Sequence, residues 1–161
     1  MKNKYAVALL SMVLVGQSPL LARQSPRAKS QKVRVYLVML GDNGKNGKRF
    51  GCEDSLVPVT RAIAPTQTPL RAALQELLLM PPTSSSNPAL SNYWKGRNLR
   101  VQSVSLHRGL ATIHISGDIY VAGICDQPRI LSQIEATVRQ FKSVKKVRVF
   151  LDNRPLAEAI S

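Results

Sequence analysis

The residue types that most suggest chemistry are His114, Ser116 and Asp118. A histidine set between a hydroxyl and an acid has the composition of an acyl-transfer triad. Their spacing argues against one. In a run with strand character, positions i and i+2 share a face but stand ~7 Å apart, too far for the direct hydrogen bonds a triad needs. His107 falls on a turn. The 9 acidic residues are scattered, and Glu53-Asp54 are sequence neighbours beside a cysteine, so the two acids in one cleft that acid–base work requires are not indicated. Gly41-x-x-Gly44 lacks the Gly-Lys-Ser/Thr ending and the following helix of a phosphate-cradling loop. The two cysteines and two histidines do not have zinc-finger spacing. The sequence points to no catalytic residue, no metal ligand set and no cofactor.

Binding chemistry is better represented. Tyr93-Trp94-Lys95-Gly96-Arg97 is the one place where aromatic and basic residues interleave, the pattern that stacks on bases or sugars. With Arg100, Lys145, Lys146 and Arg148 it forms the candidate surface for a polyanion or a partner. A second reading folds Trp94 back as a lid on the core. The formal net charge is +14, and removing Lys2 and Lys4 with a leader leaves about +12. Such an excess attracts nucleic acid, phosphate-rich glycopolymers and lipid head groups, although bases spread along the whole chain also describe a solvated basic surface.

Residues 1–22 read as a secretory signal. Lys2 and Lys4 form the positive start, Tyr5 to Val15 the apolar stretch, and Gly16-Gln17-Ser18-Pro19 the break before a cut near Ala22. The run is short for a membrane span of ~20 apolar residues, which leaves no transmembrane span after cleavage and an exported protein, secreted, periplasmic or on the envelope exterior. Residues 23–31 are polar and basic and read as a disordered lead-in. The remaining stretch, 32–157, fits one domain with one core. Outside the cytosol, Cys52 and Cys125 are expected to pair. In the chain-entropy picture a loop of 73 residues stabilises by ~4 kcal/mol.

The elements that must position these residues follow from periodicity. Lys32–Leu40 alternates Val33, Val35, Leu37 and Met39 against Arg34, Tyr36 and Val38, a central strand. Leu56–Ile63 is a second strand, and Pro58 within it marks an edge. Thr68 is placed to cap a helix with Pro69 in its first turn and Leu70, Ala73, Leu74, Leu77 and Leu78 on its buried face. Leu99–Leu106 and Leu110–Ser116 make a hairpin across His107-Arg108-Gly109, with a bulge near Gln102-Ser103 to restore register. Residues 117–125 are expected as a loop. Asp126 is expected to cap a second helix whose apolar face is Ile130, Leu131, Ile134, Val138 and Phe141, with Gln133, Glu135, Arg139 and Lys142 elsewhere on the wheel. Val147, Val149 and Leu151 then alternate with polar residues in a last strand.

In this order, Val33-Arg34-Val35-Tyr36-Leu37, Leu56-Val57-Pro58-Val59-Thr60-Arg61, the Thr68–Leu78 helix, Gly109–Ser116 and Gln133–Phe141 followed by Val147-Arg148-Val149 resemble a GerMN domain, the module of spore germination proteins. The resemblance covers roughly Lys32 to Leu156. It implies a non-catalytic α+β module, order ββαββαβ, with two helices packed on a mixed or antiparallel sheet similar to the ring-building motif of envelope assemblies. It implies envelope protein partners, self-association included. The chain departs from the family pattern in having one such domain, a cysteine pair without a lipoprotein cysteine, and the Trp94 loop, so a sporulation role is not carried over.

Overall fold

The computed structural model describes residues 29–161; the signal segment and residues 23–28 of the lead-in lie outside the described residues. Strand β1 (Gln31–Met39) begins inside the segment expected as lead-in, because Gln31 already pairs with Ile63 of β3 (Asp54–Ile63). Val33, Val35 and Leu37 are buried on one face of β1 and Val38 on the other, as a central strand requires.

The class is α+β. The strands divide, however, into two four-stranded sheets rather than one. The first has the order β2-β3-β1-β4 and is antiparallel, with β2 at Lys48–Phe50 and β4 at Leu90–Ser91, short strands that the sequence did not announce. The second has the order β5-β6-β7-β8: β5 (Gly96–His107) and β6 (Leu110–Ile119) form the hairpin, β7 (Lys146–Leu151) runs parallel to β6, and β8 (Arg154–Pro155) closes the far side. The expected bulge is present, with a register shift between Val101 and Ser103. A second shift lies between Arg97 and Arg100. There Gly117, at φ +113°, approaches so closely that a Cβ would stand 2.5 Å from the Asn98 carbonyl oxygen. Strand β6 continues to Ile119, into the stretch expected as loop.

Helix α1 (Pro69–Leu79) buries Leu70, Ala73, Leu74 and Leu77, and helix α2 (Asp126–Arg139) buries Ile130, Ile134 and Val138. Neither expected side-chain cap forms. Thr68 turns its hydroxyl to Thr66, and Asp126 is the first residue of α2, not its cap. The Asp126 carboxylate instead accepts from the Ala122 N–H at 2.9 Å and from Arg129 at 3.3 Å. A last turn, α3 (Leu156–Ala159), adds buried Leu156, and Ile160 follows it into the core.

The reason for two sheets lies on α2. Beyond β4, the free edge of β1 meets helix side chains instead of another strand. Gln133 donates to the Tyr36 carbonyl at 2.8 Å, the Thr137 hydroxyl accepts from the Tyr36 N–H at 3.2 Å, and Gln140 both accepts from and donates to the Arg34 backbone. These residues recur at intervals of four and three, the same face of a helix. Gln133 is therefore fully buried rather than on the outer wheel, and it also takes the Tyr93 N–H at 2.7 Å. Burying such an amide is tolerable only because its partners are present.

Candidate functional site

The eight residues expected to form one surface fall into three environments. Tyr93 and Trp94 are in the core. Trp94 is 1% exposed, and its indole N–H donates to the Ile130 carbonyl at 3.0 Å. The Trp94 ring therefore lies in the core and is not open to a stacking ligand. Tyr93 lies under the Arg129 guanidinium, 4.9 Å from its ring centroid. Burial raises the Tyr93 phenol above its ordinary pKa, opposed by the charge of Arg129.

Arg129 in turn bonds Asp54 at 2.6 Å and Asp126 at 3.3 Å. Burial works against its charge, but the Asp54 hydrogen bond leads the contacts that raise the guanidinium above its ordinary value. Next to this cluster the Cys52–Cys125 disulfide joins the turn between β2 and β3 to the start of α2, with a Cα–Cα distance of 6.0 Å. Cys52 and Glu53 both hold left-handed backbone, φ 59° and 58°. Asp54 and Asp126 thus share one guanidinium, that of Arg129.

Lys95, Arg97 and Arg100 lie at the start of β5. Lys95 Nζ sits 4.9 Å from the Tyr93 ring centroid and 5.5 Å from that of Tyr120. Arg97 stands opposite Asp118 and Arg100 opposite Ser116 in the ladder. Lys145, Lys146 and Arg148 lie at the other end of the same sheet, beside the β5–β6 turn. The row of Arg148, at Thr112, lies four residues along β6 from the row of Arg100, at Ser116, ~13 Å, and that of Lys146 two residues farther, so the cations form two groups.

The second group is built around Gly109. Its carbonyl accepts from the Lys145 N–H at 2.7 Å and the Lys146 N–H at 2.9 Å. That pair of hydrogen bonds brings Arg108, at the tip of the turn, beside the two lysines. The register continues the arrangement over the outer face: Lys146 opposite Leu110, Arg148 opposite Thr112, and Thr112 opposite Ser105. The inward residues Ala111, Ile113 and Ile115 are buried, as the alternation requires. Arg108 was missed as a member because it reads only as a turn residue; its partner across Gly109 is remote in sequence.

His114 stacks on Phe150, ring centroids 4.8 Å apart and planes at 10°. The Ser116 hydroxyl meets the Gln102 amide at 2.5 Å. The histidine thus faces an aromatic ring; Asp152 lines the same shallow opening as His114 and Ser116, and among the described residues no hydrogen bond joins it to the histidine. Among the described residues there is no group of three His, Cys, Asp or Glu side chains that could hold a metal ion.

A different opening lies along β3. Past β2, residues 57–63 have no strand on their outer side among the described residues, and Pro58, Thr60, Arg61 and Ala62 are exposed there. A groove of about 710 Å³ follows, walled by Ala62 and Ile63 of β3, by α1 around Glu76 and by Leu99–Val101 of β5. Arg61 and Glu76 form an ion pair of 2.8 Å at this groove.

Comparison with solved structures places the architecture. The first GerMN domain of the sporulation protein GerM from Bacillus subtilis matches with a TM-score of 0.57 at 18% identity, over 78% of this chain and 85% of that one. The tandem GerMN domains of the same protein match at 0.55 and 19% identity, over 88% of this chain and 43% of that chain, so the match spans under half of the tandem protein. No match was found among curated protein sequences. The fold is that of a GerMN-type α+β domain. The family described as "Germane: Sporulation and spore germination" matches residues 34–157, and the chain belongs to that family.

Proposed function

We propose that this protein is an exported, non-catalytic GerM-like domain that binds partner proteins at the cell envelope, other copies of itself included. The observation that carries this reading is the open outer edge of β3 over residues 57–63. An exposed strand edge accepts an added strand through its backbone groups, and neighbouring pockets select the side chains. The groove beside Ala62 and Ile63 supplies such pockets. Pro58 withdraws one donor from the edge, which restrains indiscriminate pairing. Export is supported by the signal-like residues 1–22 and by the Cys52–Cys125 disulfide, which suits an oxidising compartment. Among the described residues no helix is long and apolar enough to cross a membrane.

The test is a photo-crosslinking residue at Thr60 in intact cells, with Asn153, exposed in the β7–β8 turn, as the control position. A discrete protein adduct from Thr60 and none from Asn153 is expected. Equal adducts from both positions, or none from Thr60, would overturn strand-edge docking. A second reading, binding of anionic polymers, is favoured by the basic group gathered around Gly109.

A further inference from the structure

We infer that the cations around Gly109 form a binding site for a linear polyol-phosphate polymer of the envelope. This rests on the anionic-polymer reading and names its ligand and residues. Arg108, Lys145, Lys146 and Arg148 are all exposed, and among the described residues none of them makes an ion pair. Their main chain is fixed to the turn, because the backbone N–H groups of both lysines donate to one carbonyl, that of Gly109. Gly109 itself is at φ +81°, and a Cβ there would press on the Lys145 side chain at 2.9 Å.

The support comes from both sides of the turn. The Arg139 guanidinium donates to the Lys145 carbonyl at 2.9 Å and pairs with Glu135 at 2.7 Å. The acid brought to this end of the sheet is thereby already neutralised. Thr112 and Ser105 stand in the adjoining ladder row beside Arg148, hydroxyls suited to phosphate oxygens. Lys146 and Arg148 are two residues apart on one strand, ~7 Å, a spacing that engages successive charges of a polymer rather than one isolated ion. Asp118 and Asp152 lie toward the opposite end of the face, near Arg97 and Ser116.

The aromatic groups decide between polymers. A nucleic-acid strand gains much of its affinity by stacking bases on free ring faces. Here His114 and Phe150 are stacked on each other, and Trp94 is buried. The ring left exposed beside the cations is the His107 imidazole, opposite Leu110 in the row of Lys146; a single ring is no platform for successive bases, and the remaining chemistry is charge plus hydroxyl. A phosphate polymer without bases uses both and lacks neither.

The experiment measures binding of the full mature chain to synthetic poly(glycerol phosphate) by titration at several salt concentrations. The parallel probes are an oligothymidylate and phosphatidylglycerol vesicles. Lys146→Ala/Arg148→Ala is compared with Lys45→Ala/Lys48→Ala, two exposed lysines outside the group, and thermal melts confirm that both variants fold. Expected are a slope of log K against log salt of about −3 for the wild type, its magnitude lowered by about two in Lys146→Ala/Arg148→Ala, and no change in the control. If the oligothymidylate or the vesicles bind through Lys146 and Arg148 and poly(glycerol phosphate) does not, the polymer assigned here is wrong while the anionic reading stands. If none of the three binds, both fall. Equal weakening in the two variants would mean diffuse charge and would also overturn the site.

Discussion

Gln140 of α2 grips both backbone groups of Arg34 on β1: its carbonyl oxygen accepts from the Arg34 N–H at 2.8 Å and its amide donates to the Arg34 carbonyl at 2.6 Å. A side-chain amide here does what a neighbouring strand's peptide group would do. Thr137 and Gln133 repeat the device one and two turns earlier, at Tyr36. A helix thus closes a sheet edge that would otherwise invite another chain.

The first prediction concerns this seam. Gln133 is fully buried and bonds Tyr36, Tyr93 and Asn92. Gln133→Leu keeps the volume but strands the Tyr36 carbonyl and the Tyr93 N–H, at about 1–3 kcal/mol for each unsatisfied group. We expect urea unfolding to show a loss of roughly 3 kcal/mol. Gln140→Ala, at a more exposed site, should cost about 1 kcal/mol and speed amide exchange at Arg34. A Gln133→Leu protein as stable as wild type would show that the seam is not needed.

A second prediction follows from the disulfide. It ties the turn at Cys52 to the helix start at Cys125 across 73 residues. Cys52→Ser/Cys125→Ser should lose about 3–4 kcal/mol, read as a lower Tm. The wild-type protein should migrate faster on a gel without reductant than with it, and the variant should not. Identical melts would mean that the crosslink constrains nothing the fold does not already hold.

Asp42 supplies the pH dependence. It sits in the loop between β1 and β2, where the Ser55 hydroxyl, followed by the Asn46 N–H at 2.7 Å, holds its carboxyl below the usual carboxylate range; burial pushes the other way. A carboxyl lowered in the folded state stabilises above the unfolded pKa of ~4 and loses that contribution as pH falls through the folded value. Asp42→Asn should therefore be less stable than wild type at pH 7, and the difference should shrink below pH ~4. Melts taken across that range check it; a difference independent of pH would remove the charge from the explanation.

Much of this protein is written locally. The alternation in β1 and β6, the apolar stripes of α1 and α2, the hairpin at Arg108-Gly109, the bulge at Gln102 and the pairing of two cysteines all depend on near neighbours or on simple counting, and each is present. One further signal was available: Gln133 lies three residues after Ile130 and Thr137 three after Ile134, on the buried stripe itself. A polar residue on that stripe announces a buried hydrogen-bonding task, but not its partner.

The partners are what only tertiary structure decides. Gln133 meets Tyr36 across 97 residues, and Arg129 meets Asp54 across 75. Whether Trp94 faces solvent or core depends on Ile130 offering a carbonyl from another element. The cations Arg108, Lys145, Lys146 and Arg148 become one group because β7 pairs with β6 beside the turn and Gly109 accepts both lysine backbone N–H groups. Periodicity is a property of the single element and survives in the sequence. The closing of a sheet edge or the gathering of like charges is a property of two elements at once, set by long-range contacts that no local spacing encodes.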